Sequence, residues 1–189
     1  MVTVSREEYK GRMMRIRYVL RMAWVDSYGL DVIDDVIKKA ESNYKIDKHL
    51  ISMLNHYRKL MQYDLCLSVT RMYEERGHNS LRSIQAIAMA FRTGSWGKFP
   101  KISTSVWNKI KAFRNSYLAH LDIKASAEPI TNDEMKELLK QATDFYNCVC
   151  NNTGEPDLSL SENELSRLHL QRIFDFMSVT QPHMELKEE

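Results

Sequence analysis

The chain has 189 residues, of which 43% are hydrophobic, 28% charged and 10% aromatic. That length can bury the core of one compact domain, and the composition excludes a collagen-like or disordered chain. No stretch approaches the roughly 18 uncharged apolar residues of a membrane span, and the N-terminus lacks an apolar signal segment, so we expect a cytoplasmic protein. The three cysteines fit a reducing compartment and share no metal-ligand spacing, so we expect no metal and no cofactor.

The formal net charge of +2 hides an uneven distribution along the chain. Residues 1–127 hold 22 Lys and Arg against 12 Asp and Glu, whereas residues 128–189 hold 5 against 13. Residues 91–121 contain no acid and interleave cations with aromatic residues, a pattern typical of a surface that binds a polyanion. The alternative is a solvated basic helix face whose aromatic side chains belong to the core.

The first half of the chain shows strong helical periodicity. Apolar residues recur at spacings of three and four, which predicts helices over 6–25 and 31–41, separated near Gly29. A longer apolar stripe predicts the longest helix, over 46–76, with Gly77 as its C-terminal stop.

A shorter helix, a loop and the helix of greatest interest follow. Asn79 and Ser80 can cap a helix that reaches Phe91, and glycines with Pro100 predict a loop over 93–103. Residues 103–105, Ser-Thr-Ser, offer caps for the next helix. The apolar stripe of that helix consists of Val106, Ile110, Phe113 and Tyr117. Its other side carries Lys109, Lys111 and Asn115.

Two capping boxes mark the remaining helix starts. Thr131 and Ser161 are each followed three residues later by a glutamate, so hydroxyl and carboxylate can satisfy free N–H groups reciprocally. They predict helices over 132–151 and 162–178. Together with the absence of an alternating strand pattern and the short connections, these helices predict an all-α fold, an up-and-down bundle with additional N- and C-terminal helices. We divide the chain into a helical domain, 1–152, and an acidic C-terminal helix and tail, 153–189, packed on the same domain.

Three residues in the acid-free segment have the side chains of phosphate chemistry. Arg114 can hold a phosphate through two parallel N–H bonds, and Asn115 can orient an oxygen. His120 can move a proton near neutral pH. None of these roles needs a metal. The alternative is structural: a buried histidine bonded to the backbone or a carboxylate, and an arginine in an ion pair.

The spacing of Arg114 and His120 does not suit one straight helix. Six residues rotate an ideal helix by about 600°, which leaves the two side chains roughly 120° apart. Either the helix loosens near His120, or two copies of the motif face each other across a two-fold axis. We favour the second arrangement because it doubles the basic charge of one cleft.

The motif also resembles that of a known family. The string from Phe113 to Asp122 resembles the signature of the HEPN superfamily, in which an arginine and an adjacent polar residue precede a histidine. More narrowly, Arg-Asn-x-x-x-Ala-His-x-Asp at residues 114–122 is similar to the abortive-infection branch related to AbiU. The similarity covers about residues 60–125.

The resemblance implies a helical bundle that dimerises through the motif helices and, in many relatives, a ribonuclease acting in phage defence or as a toxin. Arg114 and His120 match the catalytic pair of the family, and Asn115 matches its adjacent polar position. Asp122 fits the branch pattern, where orienting His120 and pairing with a lysine are equally open roles.

These observations lead to one functional hypothesis and one alternative. We expect a metal-independent endoribonuclease with Arg114, Asn115 and His120 as catalytic residues. The expected substrate-binding residues are Lys109, Lys111, Tyr117 and Asp122. The expected partners are RNA, a second copy of the chain and an antitoxin or regulatory protein, with no membrane. The alternative is a non-catalytic HEPN-like module that binds RNA, a nucleotide or a protein.

Overall fold

The computed structural model describes residues 5–42, 48–74, 80–90, 101–119 and 130–180. The helices in these ranges are α1 (Arg6–Glu41), α2 (Lys48–Tyr73), α3 (Leu81–Ala90), α4 (Thr104–Ala119), α5 (Asn132–Thr153) and α6 (Glu162–Thr180). The described residues include no β-strand, so the predicted all-α fold class is confirmed. No helix among them combines the length and the apolar character needed to cross a membrane.

Helix α1 is continuous over 36 residues, which makes the predicted division into two helices near Gly29 wrong. Gly29 lies in the helix interior and is buried. A single glycine lowers helix stability by only about 1 kcal/mol relative to alanine, which the packing of a long apolar face readily offsets. The absence of a side chain at Gly29 instead allows a close contact with α6, which is described below.

Both predicted N-caps are present, but only the capping box of α5 is complete, and that of α6 forms by its hydroxyl half alone. The backbone N–H of Glu134 donates to the Thr131 hydroxyl at 3.1 Å, and the Glu134 carboxylate accepts from the Thr131 N–H at 2.9 Å, which completes the capping box of α5. Ser161 accepts from the N–H of Glu164 at 3.2 Å, while the Glu164 side chain pairs with an arginine of α1. Gly154 ends α5 with φ of 72°, a left-handed conformation that glycine adopts without strain.

Helices α1 and α2 pack as an antiparallel pair. Asp34 near the end of α1 pairs with Arg58 of α2, and Gly29, nearer the middle of α1, lies against Met61. Residue numbers therefore fall along α1 as they rise along α2, as expected for an antiparallel helical hairpin.

Helix α5 also runs antiparallel to α1. The Tyr9 hydroxyl and the Thr153 hydroxyl lie 3.0 Å apart, and the Ser27 hydroxyl and the Asn132 side-chain oxygen lie 3.1 Å apart. The hydrophobic core lies between α1, α2 and α5. Helix α3 adds Leu81 and Ile84 to it, and α4 adds Ile110, all fully buried.

Candidate nucleic-acid interface

Helix α4 carries the motif arginine and rests on the core by one side. Of the caps that the sequence offered at residues 103–105, Ser103 is the one that forms, by accepting from the N–H of Val106 at 3.3 Å. Ile110 is fully buried, while Val106 and Phe113 pack against the core with part of their surface exposed. The main helical neighbour of α4 is α2. One apolar stripe thus fixes the rotation of α4 and decides which side chains reach solvent.

Lys109 points towards the start of α5. Its Nζ lies 3.0 Å from Oε1 of Glu134, the carboxylate of the α5 capping box. The Thr131 backbone N–H and the Lys109 ammonium together lower the pKa of Glu134, because both stabilise its charged form. Lys109 therefore joins α4 to α5 and shares its charge with a carboxylate, and its predicted role in substrate binding stays a prediction.

Lys111 lies on a different side of α4 from Lys109, although the sequence analysis placed both on one side. Two residues apart on a helix differ by about 200° in direction, and the structure separates them accordingly. Lys111 is exposed, and its Nζ lies 5.2 Å from the centre of the Trp107 ring, a cation–π contact.

Arg114 continues the line that Trp107 and Lys111 begin. The three residues follow spacings of four and three, so they share one face of α4. Arg114 is half-buried, and residues 101–119 contain no acidic residue. We call Trp107, Lys111 and Arg114 the α4 cationic stripe. An aromatic ring, an exposed ammonium and a guanidinium in one line can bind the phosphates and bases of a nucleic acid.

The structure does not describe the side chains of the four remaining predicted site residues, Asn115, Tyr117, His120 and Asp122. Asn115 and Tyr117 belong to the last turns of α4, where the structure describes the backbone alone. His120 and Asp122 lie outside the described residues. The relationship between Arg114 and His120 consequently stays a prediction from the sequence.

A cleft of about 540 Å³ opens beside the motif helix. Phe113, the residue before Arg114, forms part of its wall together with apolar residues of α1, α2 and α5. The charged groups at its edge are already paired: Asp34 with Arg58, and Asp31 with Lys136 at 2.6 Å. The paired charges indicate a cleft that accepts an uncharged or apolar group more readily than a phosphate.

The structure also contains a buried polar cluster that sequence reasoning missed. Arg172 of α6 donates to Asp26 of α1 and, at 2.9 Å, to Asp64 of α2. Asp26 is 1% exposed and His169, one turn before Arg172, is 3% exposed. These partners lie 146 and 108 residues apart in the chain, so no local sequence signal could have predicted the cluster.

Burial raises the pKa of one group in this cluster, Asp26, and lowers the pKa of another, His169. Loss of hydration raises the pKa of Asp26 to about 7, against the opposing effect of Arg172. Burial and the nearby Arg172 charge both lower the pKa of His169, whose ring nitrogens have no hydrogen-bond partner among the described residues. The rings of Tyr28 and Tyr57 flank the imidazole at centroid distances of 6.2 Å and 6.4 Å. We interpret the cluster as the attachment of α6 to α1 and α2.

Within the described ranges, no group of three or more His, Cys, Asp or Glu side chains is arranged to hold a metal ion. No protein-family model, curated protein or solved structure matches this chain. The HEPN resemblance therefore rests on the sequence motif itself and stays a prediction.

Proposed function

We propose that this protein is a metal-independent endoribonuclease of the HEPN type, acting in the cytoplasm in a defence or toxin role. The observation that carries the proposal is the position of Arg114. It lies half-buried on a helix without acidic residues, one turn after the exposed Lys111, and six residues before His120 in the sequence. A half-buried guanidinium with a neighbouring exposed cation can bind the scissile phosphate of an RNA strand.

The chemistry follows from the three catalytic side chains. The ribose 2′-OH attacks the adjacent phosphorus while His120 takes part in proton transfer, and the 5′-oxygen leaves with a proton. Arg114 and Asn115 stabilise the negative charge of the phosphorane by hydrogen bonds. The products are a 2′,3′-cyclic phosphate and a free 5′-hydroxyl, so DNA, which lacks the nucleophile, is inert.

The proposal includes a homodimer whose interface contains α4. On an ideal helix, the directions of Arg114 and His120 differ by roughly 120°, so the two side chains of one helix cannot easily contact the same phosphate. Two helices that face each other can bring Arg114 and His120 to one shared cleft. Among the helices that the structure describes, α4 packs mainly on α2, which leaves part of its surface available for a second copy of the chain. A monomer at micromolar concentration in light scattering would contradict it.

The deciding experiment is incubation of the purified protein with mixed RNA in excess EDTA. Wild type should release fragments ending in a 2′,3′-cyclic phosphate, while Arg114→Ala and His120→Ala should not. Arg71→Ala, at an exposed position on α2, is the matched control and should cleave normally. Cleavage that disappears in EDTA and returns with magnesium, or that survives His120→Ala, would contradict the proposed mechanism.

The second candidate is a non-catalytic module that binds RNA, a nucleotide or a partner such as an antitoxin. The α4 cationic stripe favours it, because Lys111 over Trp107 and the half-buried Arg114 can bind phosphate without His120. The same experiment separates the two candidates. RNA binding that depends on Arg114, without any cleavage product, supports the module and excludes the enzyme.

A further inference from the structure

One side of the N-terminal half of α1 is exposed and packs on none of the helices that the structure describes. Tyr9, Met13 and Ile16 are buried in the core, whereas Met14 and Tyr18, four residues apart on the opposite side, are 68% and 65% exposed. A Cβ on Gly11 would meet nothing within 4 Å beyond its own helix backbone in the part of the chain that the structure describes, so the helix surface is open there as well. We call Lys10, Gly11, Met14, Arg15 and Tyr18 the α1 outer face.

This face is basic. Residues 6–21 contain six Lys or Arg and two Glu. Two of these cations are neutralised within the fold, since Arg12 pairs with Glu8 at 2.5 Å and Arg21 pairs with Glu164 at 2.6 Å. Lys10 and Arg15 are exposed and make no ion pair with the described residues.

We propose that the α1 outer face is a second contact surface for single-stranded RNA, in addition to the α4 cationic stripe. Proteins that hold single strands combine aromatic side chains, on which bases stack, with cations that follow the phosphates. Tyr18 provides an exposed ring. Lys10 provides a cation one turn before Met14 on the same row of the helix, and Arg15 provides a second cation beside that row. The span from Lys10 to Tyr18 is about 12 Å along the helix axis, enough for a short stretch of one strand.

A second copy of this chain and a membrane surface fit the face less well. Two identical basic faces would repel each other, and two exposed apolar side chains offer far less than the roughly 800 Å² that each partner buries in a standard interface. A helix that lies on a membrane needs a broad apolar face, and that side of α1 is already buried in the core.

The α1 outer face is distinct from the α4 cationic stripe. Helix α1 packs on α2, α3, α5 and α6, while α4 packs mainly on α2. The inference rests on the proposed function in that RNA is the ligand of both surfaces. When one RNA strand contacts both surfaces, the affinity of the protein for that strand rises, because the second binding event becomes intramolecular.

The test is the affinity of a fluorescein-labelled 20-nucleotide single-stranded RNA, measured by anisotropy at several salt concentrations. All variants are made in the His120→Ala background, so that cleavage does not interfere. Tyr18→Phe keeps the ring and should bind as the parent does, whereas Tyr18→Leu keeps apolar bulk without the ring and should bind about tenfold more weakly. Lys10→Gln with Arg15→Gln should also reduce the salt dependence, by about 0.7 in slope for each charge removed.

The matched control is Lys48→Gln with Lys59→Gln, which removes two exposed cations from α2 and should leave affinity and salt slope near those of the parent. Because the substituted side chains are exposed, thermal unfolding should be unchanged. Equal affinity of Tyr18→Leu and the parent would overturn the inference. So would binding of a polyglutamate peptide with the same dependence on Tyr18, which would assign the face to an acidic protein.

The cleavage and binding experiments test the proposed enzyme and the proposed second RNA surface independently. If wild type does not cleave RNA but binding depends on Tyr18, the enzymatic proposal fails and the second contact surface stands. If wild type cleaves RNA with a dependence on Arg114 and His120 while Tyr18 has no effect on binding, the enzyme stands and the second surface is rejected.

Discussion

The imidazole of His169 lies directly against the backbone of Gly29. A Cβ placed on residue 29 would come within 2.5 Å of both Cε1 and Nδ1 of that ring, and it would also overlap the terminal methyl group of Met61. Helix α6 can therefore approach α1 at this point because residue 29 has no side chain. The contact explains why a glycine is located inside a continuous 36-residue helix.

Gly29→Ala should destabilise the protein by up to about 2 kcal/mol. Overpacking against the rigid imidazole costs about 1–3 kcal/mol, partly offset by the helix propensity of alanine, about 1 kcal/mol. Gly11→Ala in the same helix is the matched control, since its Cβ would meet nothing within 4 Å, and it should stabilise by about 0.5–1 kcal/mol. Urea unfolding of the three proteins measures the difference, and equal effects of the two substitutions would refute the close contact.

Asp26→Asn should remove a pH dependence of stability. Because the pKa of folded Asp26 is raised from 3.8 to about 7, the folded state binds a proton more tightly than the unfolded state. Protonation of Asp26 therefore contributes fully to the stability of the folded state below about pH 4, and this contribution is lost as the pH rises through about 7. The stability of wild type relative to Asp26→Asn should rise by about 2–3 kcal/mol from pH 8 to pH 5. A difference that is independent of pH in urea titrations would contradict this.

His169→Leu should change the pH dependence in the opposite direction. Burial lowers the pKa of His169, so the folded state binds a proton less tightly, and wild type should lose stability as the pH falls below about 6.5. Leucine cannot be protonated, and it breaks no hydrogen bond of the ring nitrogens with the described residues. The stability of His169→Leu relative to wild type should therefore increase from pH 7.5 to pH 5. A constant difference would show that His169 is protonated freely in the folded state.

Lys109 and Lys111 should affect different properties. Lys109→Gln removes the ion pair with Glu134 and should lower the free energy of unfolding by about 1 kcal/mol, with a smaller loss of RNA affinity than Lys111→Gln because Glu134 already offsets its charge. Lys111→Gln removes an exposed cation and should weaken RNA binding and reduce its salt slope by about 0.7, with little change in stability. Parallel unfolding and binding measurements on both variants check this, and equal losses of RNA affinity would contradict it.

Arg114→Lys should separate binding from catalysis. Lysine keeps the charge but loses the planar, forked set of donors, so RNA affinity should stay near that of wild type. Single-turnover cleavage should fall by roughly two to three orders of magnitude if the lost donors stabilise the phosphorane. An unchanged cleavage rate would show that Arg114 acts only through its charge.

The sequence by itself determined the helical class and most helix starts. Ser103 caps α4 and the Thr131 capping box begins α5 where the sequence placed them, because a cap satisfies N–H groups only two or three residues away. The periodicity of apolar residues likewise predicted α5 and α6 to within a few residues at their C-terminal ends. The sequence also supplied the motif from Arg114 to Asp122, which carries the functional proposal.

Only the tertiary structure decided the role of residues whose partners lie far along the chain. Gly29 predicted a break from local propensity alone, but its contact with His169 depends on how α6 packs against α1. Lys109 was indistinguishable from Lys111 by residue type until the burial of Ile110 fixed the rotation of α4 and brought Lys109 to Glu134. Helix formation depends on neighbours within one turn, whereas ion pairs and close contacts between helices depend on the packing of whole helical faces.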